Sequence, residues 1–238
     1  MGNILIVKFL IGMYNNLPKI YTLYIAYRNN KKVHPGGIMS DKKYSAGAVK
    51  FSFWFPEFRK ILSLLQSGKK IDDIKTLADN DNIFSAATPM RGKQIFTTVS
   101  KRVLSISDDL IKIFNNSTLE TQKLIVLISL MKTETMFFDF MNELYREKLI
   151  VGDMVITDAD IRVFFLNKQR ENEKIAKWTD ATLNRLGKTY KVYLTEAGLL
   201  ERCIGDRKII KPLLDAHFEY KLANSDYNQY LKILTGIR

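Results

Sequence analysis

From Lys123 to Met131 the chain reads KLIVLISLM, a run that is apolar on nearly every side of a helix. Such a segment cannot lie on a surface, so it predicts a buried central helix with other elements wrapped around it. Ser117-x-x-Glu120, immediately before it, has the form of a capping box and predicts its start. The run is far shorter than the roughly 18 apolar residues a membrane span needs. The other long apolar run, Ile4–Met13, is broken by Lys8.

Helices are expected on both sides. After the aromatic cluster Phe51–Phe55, Pro56 suits a first helical turn, and Phe58, Ile61, Leu62 and Leu65 share a face up to the stop at Gly68. Ile71, Ile74 and Leu77/Ala78 mark a second short helix, and Asn80–Ala87 a connector. A third helix is expected from Pro89 to Ile106, with Ile95, Val99, Val103 and Ile106 on its apolar side. Ser107-Asp108-Asp109 opens the next, its acids placed where the helix dipole favours them. Residues 133–152 are strongly helical, with Phe137, Phe140/Met141 and Leu144 facing the core and Gly152 ending the run.

Met154-Val155-Ile156 is a strand candidate, and Thr157-x-x-Asp160 caps a helix through Ile161, Phe164 and Phe165. Thr179-Asp180 opens another, with Leu183, Leu186, Tyr190 and Leu194/Ala197 at core spacing and Gly198 near its end. Arg202–Ile204 and Arg207–Ile210 are expected to pair as a hairpin about Gly205-Asp206. Two final helices follow Pro212 and Ser225. The expected fold is therefore mainly α: a multi-helix bundle with helix-turn-helix and winged-helix-like elements and one short β-hairpin. Its expected divisions are 1–38, 39–152 and 153–238.

Residues 1–38 stand apart. They hold Lys8, Lys19, Arg28, Lys31 and Lys32 and no acid, although the chain has 25 Asp and Glu. No A-x-A-like cleavage site follows the apolar stretch, which argues against a secretion signal. Gly36-Gly37-Ile38-Met39 reads as a translated ribosome-binding sequence, so Met39 is the expected native start.

The full chain carries 37 basic residues and a formal charge of +12; from Met39 on, 32 basic residues face 25 acids, a charge of +7. A surplus of this size points to a polyanionic partner. Two segments have the order of a DNA-reading module. The first, residues 71–106, supplies Arg91, Lys93, Gln94, Thr98, Lys101 and Arg102. The second, residues 135–211, has the order helix, strand, capped helix, basic helix, hairpin, as in a winged helix-turn-helix. It supplies Lys174, Lys177, Thr179, Thr182, Arg185, Lys188, Lys191, Arg202, Arg207, Lys208 and Lys211. Cations displace condensed counterions from phosphates, hydroxyls bond phosphate oxygens, and Arg185 or Gln94 can reach base edges. The competing reading is that these charges are solvated helix faces.

Catalytic chemistry is not indicated. A single cysteine excludes an internal disulfide, and two histidines leave too few ligands for a zinc site. His217 reads as a partly buried structural residue, Cys203 as a small core residue, and Trp54 and Trp178 as core anchors. Gly68-Lys69-Lys70 lacks the upstream glycine of a phosphate-binding loop. No enzyme activity, metal or cofactor is expected.

Several stretches nevertheless resemble one family. KYSAG (43–47), FPEFRKILSLL (55–65), FFDFMNELYREKLIVGD (137–153), TDADIRVFF (157–165), KWTDATLNRLGKTYKVYLTEAGLL (177–200) and KPLLD (211–215) are similar to the BrxA family of BREX bacteriophage-exclusion operons. The resemblance covers roughly 43–238. It implies a mostly helical fold likened to the NusB antitermination protein, a cytoplasmic role in phage defence, and binding of double-stranded DNA. The implied operon partners are a methyltransferase, a PglZ-type protein and a large ATPase. It implies no catalytic residue. The leading expectation is a non-enzymatic, duplex-DNA-binding accessory protein acting mainly through phosphates. A NusB-like RNA binder and a scaffold bridging BREX components are the alternatives.

Overall fold

Short polar residues decide where most of the helices begin. A computed structural model describes residues 43–237, and the leader and Met39 lie outside them. The described chain falls into two units, residues 56–100 and residues 43–55 with 101–237.

The first unit contains α1 (Phe55–Gln66) from Pro56 on, α2 (Ile71–Asn80) and the greater part of α3 (Pro89–Ser105). Phe58, Ile61 and Leu62 of α1, Ile71, Ile74 and Ala78 of α2, and Ile95 and Val99 of α3 are buried, as the periodicity requires. The Lys70 N–H bonds Asp73 at 3.0 Å to start α2, and Gly68 takes φ +90° between the first two helices.

The second unit holds α4 (Asp108–Asn116), α5 (Leu119–Thr133), α6 (Thr135–Phe140), a π-helical turn Met141–Tyr145 and α7 (Arg146–Val151). After β1 (Val155–Ile156) come α8 (Asp158–Glu171), α9 (Glu173–Ala176), α10 (Asp180–Glu196), β2 (Arg207–Lys208), α11 (Ala216–Ala223) and α12 (Asn228–Thr235). Helix α5 is buried continuously from Leu124 to Met131. Each such Leu or Ile withdrawn from water contributes about 1.5–3 kcal/mol, which makes this helix the spine of the unit. Its cap is Thr118, whose hydroxyl accepts the Thr121 N–H, and not the expected Ser117. Ser117 is occupied by the preceding helix, donating its hydroxyl to the Ile113 carbonyl at 2.6 Å.

An aromatic nucleus joins α6, α8 and α10. Phe137 and Phe140 each lie 5.1 Å from Tyr190, Phe137 meets Tyr193 edge-on at 5.3 Å, and Phe140 meets Phe164 edge-on at 5.4 Å. Edge-on contacts set the ring hydrogens of one residue against the π-face of another and add to the gain from burial. Gly187 lets α10 close on α8, since a Cβ there would stand 2.7 Å from Ile161 Cγ2.

Two buried cations continue apolar helix stripes, Lys168 on α8 and Arg102 on α3. Lys168 Nζ lies 3.3 Å from Asp139, 2.5 Å from Glu143 and 3.2 Å from Glu171. The Tyr44 hydroxyl donates to Asp139 at 2.6 Å, tying the start of the described chain into the same cluster. Arg102 is 1% exposed, and its Nη1 donates to the carbonyls of Ser52 and Phe53 at 3.0 and 3.1 Å. The guanidinium also stacks 5.5 Å from the centre of the Trp54 ring. Trp54 takes φ +56°, a left-handed conformation that an L residue adopts at a cost of about 1–2 kcal/mol. Arg102 therefore holds a strained bend at the entrance to α1.

The sheet differs in register from expectation. β2 pairs antiparallel with β1, Val155 opposite Lys208 and Ile156 opposite Arg207. A bridge between Leu200 and Ile209 completes the hairpin, with Glu201 N–H bonded to the Lys208 carbonyl at 3.0 Å. The first arm is thus 199–201 and not Arg202–Ile204, and no tight turn forms at Gly205-Asp206. The reason is burial: Leu199 and Leu200 are buried while Arg202, Cys203 and Ile204 are exposed. Cys203 consequently lies outside the core where it was expected, and His217 is likewise exposed in the first turn of α11.

The second capping box forms as expected, Thr157 and Asp160 satisfying each other's backbone N–H groups. Burial would raise the Asp160 carboxyl, but hydrogen bonds from Lys148 and Thr157 outweigh it and hold the group below its ordinary value. Stability from Asp160 is then complete above the unfolded value near 3.9 and is lost as pH falls through the lower folded one. Asp160→Asn should lower stability at pH 7 by about 1 kcal/mol and flatten the acid limb of the stability–pH curve. Urea unfolding at pH 7 and pH 3 measures both, and equal losses at the two pH values would contradict the assignment.

Candidate nucleic-acid interface

Helix α10 is long because Thr179 caps it and no glycine or proline breaks its middle except Gly187, which the packing against α8 requires. Its buried side is Leu183, Leu186, Gly187, Tyr190, Tyr193 and Leu194. Opposite runs an exposed stripe of Ala181, Asn184, Arg185, Lys188 and Val192, at spacings of three and four residues. Arg185 and Lys188 are thus one turn apart on a single solvent face. Thr182 and Thr189 are half-buried at its margins.

Between α8 and α10 lies a groove of about 440 Å³. Arg162, Gln169, Asn184 and Lys188 bring polar ends to it over a floor that includes Ile161, Phe165 and Leu183. Asp158 and Asp180 add negative charge at its walls. At one end the hairpin loop meets these helices: Asp206 accepts the Asp158 N–H at 3.2 Å, and Arg207 Nη1 donates to Thr195 Oγ1 at 2.6 Å. The loop and the second half of α10 are in this way held to one another.

The expected contact residues separate into available and committed groups. Lys177, Thr179, Arg185, Lys188, Arg202, Lys208 and Lys211 are exposed. Arg202 has only a 3.6 Å approach to Glu196, both exposed, which screening by water makes weak. Lys174 is exposed, but its Nζ donates to the Tyr44 carbonyl at 2.7 Å. Two of the expected contacts are corrected. Lys191 is buried and bonds Asp158 at 2.6 Å, and Arg102 is buried on the inner side of α3, bonded to the Ser52 and Phe53 carbonyls. Arg102 cannot reach a phosphate without leaving the buried Phe53 carbonyl unsatisfied, and Lys191 can do so only by leaving its bond to the exposed Asp158.

On α3, Met90, Lys93, Thr97 and Lys101 form the exposed stripe, while Arg91, Gln94 and Thr98 are half-buried. Arg91 Nη1 donates to Gln94 Oε1 at 2.6 Å, and Lys101 Nζ to the Thr133 carbonyl at 3.2 Å. Asn184 and Arg162 were missed in the sequence. The signal for Asn184 was its place one turn before Lys188 and beside Arg185 on the outer side of an amphipathic helix.

Among the described residues no group of three or more His, Cys, Asp or Glu could hold a metal. Nor is any helix among them long and apolar enough to cross a membrane.

The BrxA family model matches residues 42–226. A curated relative, "BREX protein BrxA" of Bacillus cereus (strain H3081.97), is 39% identical over 182 residues, 76% of this chain and 91% of its own length. Among solved structures, that of an uncharacterized protein from Magnetospirillum magneticum superposes with a TM-score of 0.67 at 17% identity. The match covers 82% of this chain and 98% of that one and is a likeness of fold.

Proposed function

Because the chain belongs to the BrxA family, we propose that it is a non-enzymatic accessory protein of a BREX phage-exclusion system that binds duplex DNA mainly through phosphates. The curated relative's description as a BREX protein supports the system, and other BREX components are then its expected protein partners. A role on DNA in such a system places it in the cytoplasm.

The observation that carries DNA binding is the outward stripe on α10, Asn184, Arg185 and Lys188, presented beside a cation-bearing hairpin. The order α7, β1, α8, the single turn α9, α10, hairpin, with β2 paired to β1, supports reading these elements as a winged helix. In that arrangement the third helix enters the major groove and its neighbour crosses the backbone. Arg185 and Lys188 then meet phosphates or guanine edges, and Asn184 is placed for adenine. The N-terminal end of α10 adds Thr179 and Thr182 hydroxyls for phosphate oxygens.

A mobility-shift titration of the full chain across a salt series tests the reading. Log affinity should fall linearly with log salt, by about 0.9 per phosphate contacted. A flat salt response would overturn phosphate binding. Stronger retention of a matched RNA duplex would transfer the site to RNA, whose A-form major groove is too narrow for α10.

A further inference from the structure

The groove between α8 and α10 changes character along its length. The two helices run antiparallel, since Asp158 at the start of α8 bonds Lys191 late in α10 at 2.6 Å. At the other end, Gln169 Nε2 donates to the carbonyl of Trp178, just before α10, at 3.2 Å. This register sets Arg162 level with Lys188, Leu166 with Asn184, and Gln169 with Asp180, and all of them line the groove. One end therefore offers two cations, and the other offers amides and a carboxylate. Between them lies an apolar floor of buried Ile161, Phe165 and Leu183, with Leu166, 51% exposed, at its lip. Lys191 takes up Asp158, so the cationic end keeps Arg162 and Lys188, while Asp180 stands two turns away along α10. Among the described residues, none engages the side-chain ends of Arg162, Asn184 or Lys188 in a hydrogen bond or ion pair.

Unpaired polar groups that converge on an apolar floor are the mark of a small-molecule site. The volume, about 440 Å³, falls within the roughly 300–1,000 Å³ of such sites. The ligand's chemistry follows from the order of the walls. An arginine fork and a lysine on facing helices suit a phosphate, which takes charge-assisted bonds from both. The apolar middle suits a flat ring, and the end with amides and a carboxylate suits the donors and acceptors on that ring's edge. A fatty chain would bury its tail against Asp180, and a bare anion would leave the floor uncovered. We propose that this groove binds a nucleoside monophosphate, its phosphate between Arg162 and Lys188 and its base toward Gln169 and Asp180. Lys188 and Asn184 are also side chains assigned to the duplex above. A bound nucleotide withdraws them from DNA, so nucleotide and duplex compete; this second half rests on the DNA-binding reading.

Isothermal titration of the full chain with AMP, GMP, CMP and UMP tests the site, with adenosine and inorganic phosphate as the two halves of the ligand. Saturable binding is expected, with AMP roughly tenfold or more tighter than either half. UMP, whose base has no amino group to donate to Asp180, should bind weakest of the four. Leu166→Trp fills the groove from its exposed lip and should abolish nucleotide binding while leaving duplex affinity unchanged. Arg162→Ala should weaken AMP by roughly tenfold and leave adenosine unaffected. Saturable binding of none of the four, phosphate binding as tightly as AMP, or both variants equal to the parent overturns the site. Saturating AMP should weaken duplex binding in the parent and not in Leu166→Trp, and an unchanged duplex affinity in the parent overturns the competition. AMP binding by a chain that retains no duplex would leave the groove site standing and overturn the DNA-binding reading.

Discussion

Arg185→Glu combined with Lys188→Glu should lower affinity for duplex DNA by at least about a hundredfold at low salt, with no loss of helicity or thermal stability. Both side chains are exposed and neither holds the fold together, so the loss can be assigned to the interface. Removing two phosphate contacts lessens the slope of log affinity against log salt by about 1.8. The introduced carboxylates add repulsion, and like-charge apposition at an interface amounts to several kcal/mol, each 1.4 kcal/mol being a factor of ten. The matching control is Arg91→Glu with Lys101→Glu on α3. Its effect should be smaller, because Arg91 is half-buried against Gln94 and Lys101 is bonded to the Thr133 carbonyl. If the α3 pair abolishes binding and the α10 pair does not, α3 is the docking helix and the assignment made here is overturned.

Lys168→Ala should destabilise the protein by about 3–5 kcal/mol, a large part of the 5–15 kcal/mol by which domains are stable. The Lys168 side chain is 5% exposed and that of Asp139 2%, so removing the ammonium takes a close positive charge from a buried carboxylate that also accepts the Tyr44 hydroxyl. Lys168→Met with Asp139→Asn should recover much of the loss, since both charges then leave the interior together. Burial alone would depress the Lys168 ammonium, but its bond to Glu143 and the charge of Asp139 hold it above the ordinary lysine value. A group raised in this way contributes fully below its unfolded value and loses that contribution only as pH rises through the folded one. The Lys168 contribution should accordingly be constant from pH 6 to 9. Urea unfolding of the single and double variants checks both statements. A single variant within about 1 kcal/mol of the parent would mean that Asp139 finds another partner.

The fate of particular cations separates what was legible from what was not. Helix starts at Ser107, Thr157 and Thr179 were legible because a cap is a bond between a side chain and a backbone N–H two or three residues on. Even the misplaced cap at Ser117 errs by one residue, where two adjacent hydroxyls compete for adjacent helix ends. Arg102 was read as solvent-facing, although it follows Ile95 and Val99 at core spacing and precedes Ile106. Lys191 lies between Gly187 and Leu194 in the same way, and Lys168 continues Ile161, Phe164 and Phe165. A cation on an apolar stripe signals burial, but its partner comes from far along the chain: Ser52 and Phe53 for Arg102, Asp158 for Lys191, Asp139 for Lys168.

By itself, then, the sequence determined most of the helices, the caps at Ser107, Thr157 and Thr179, the spine at 124–131 and the family. All of these depend on residues within a few turns of one another or on the order of residues along the chain. Which lysines and arginines face outward, which arm pairs in the hairpin, and that Ile204 projects uncovered were decided only by the tertiary structure. Burial and ion pairing depend on what lies opposite a helix face, and periodicity specifies a face without specifying what it meets.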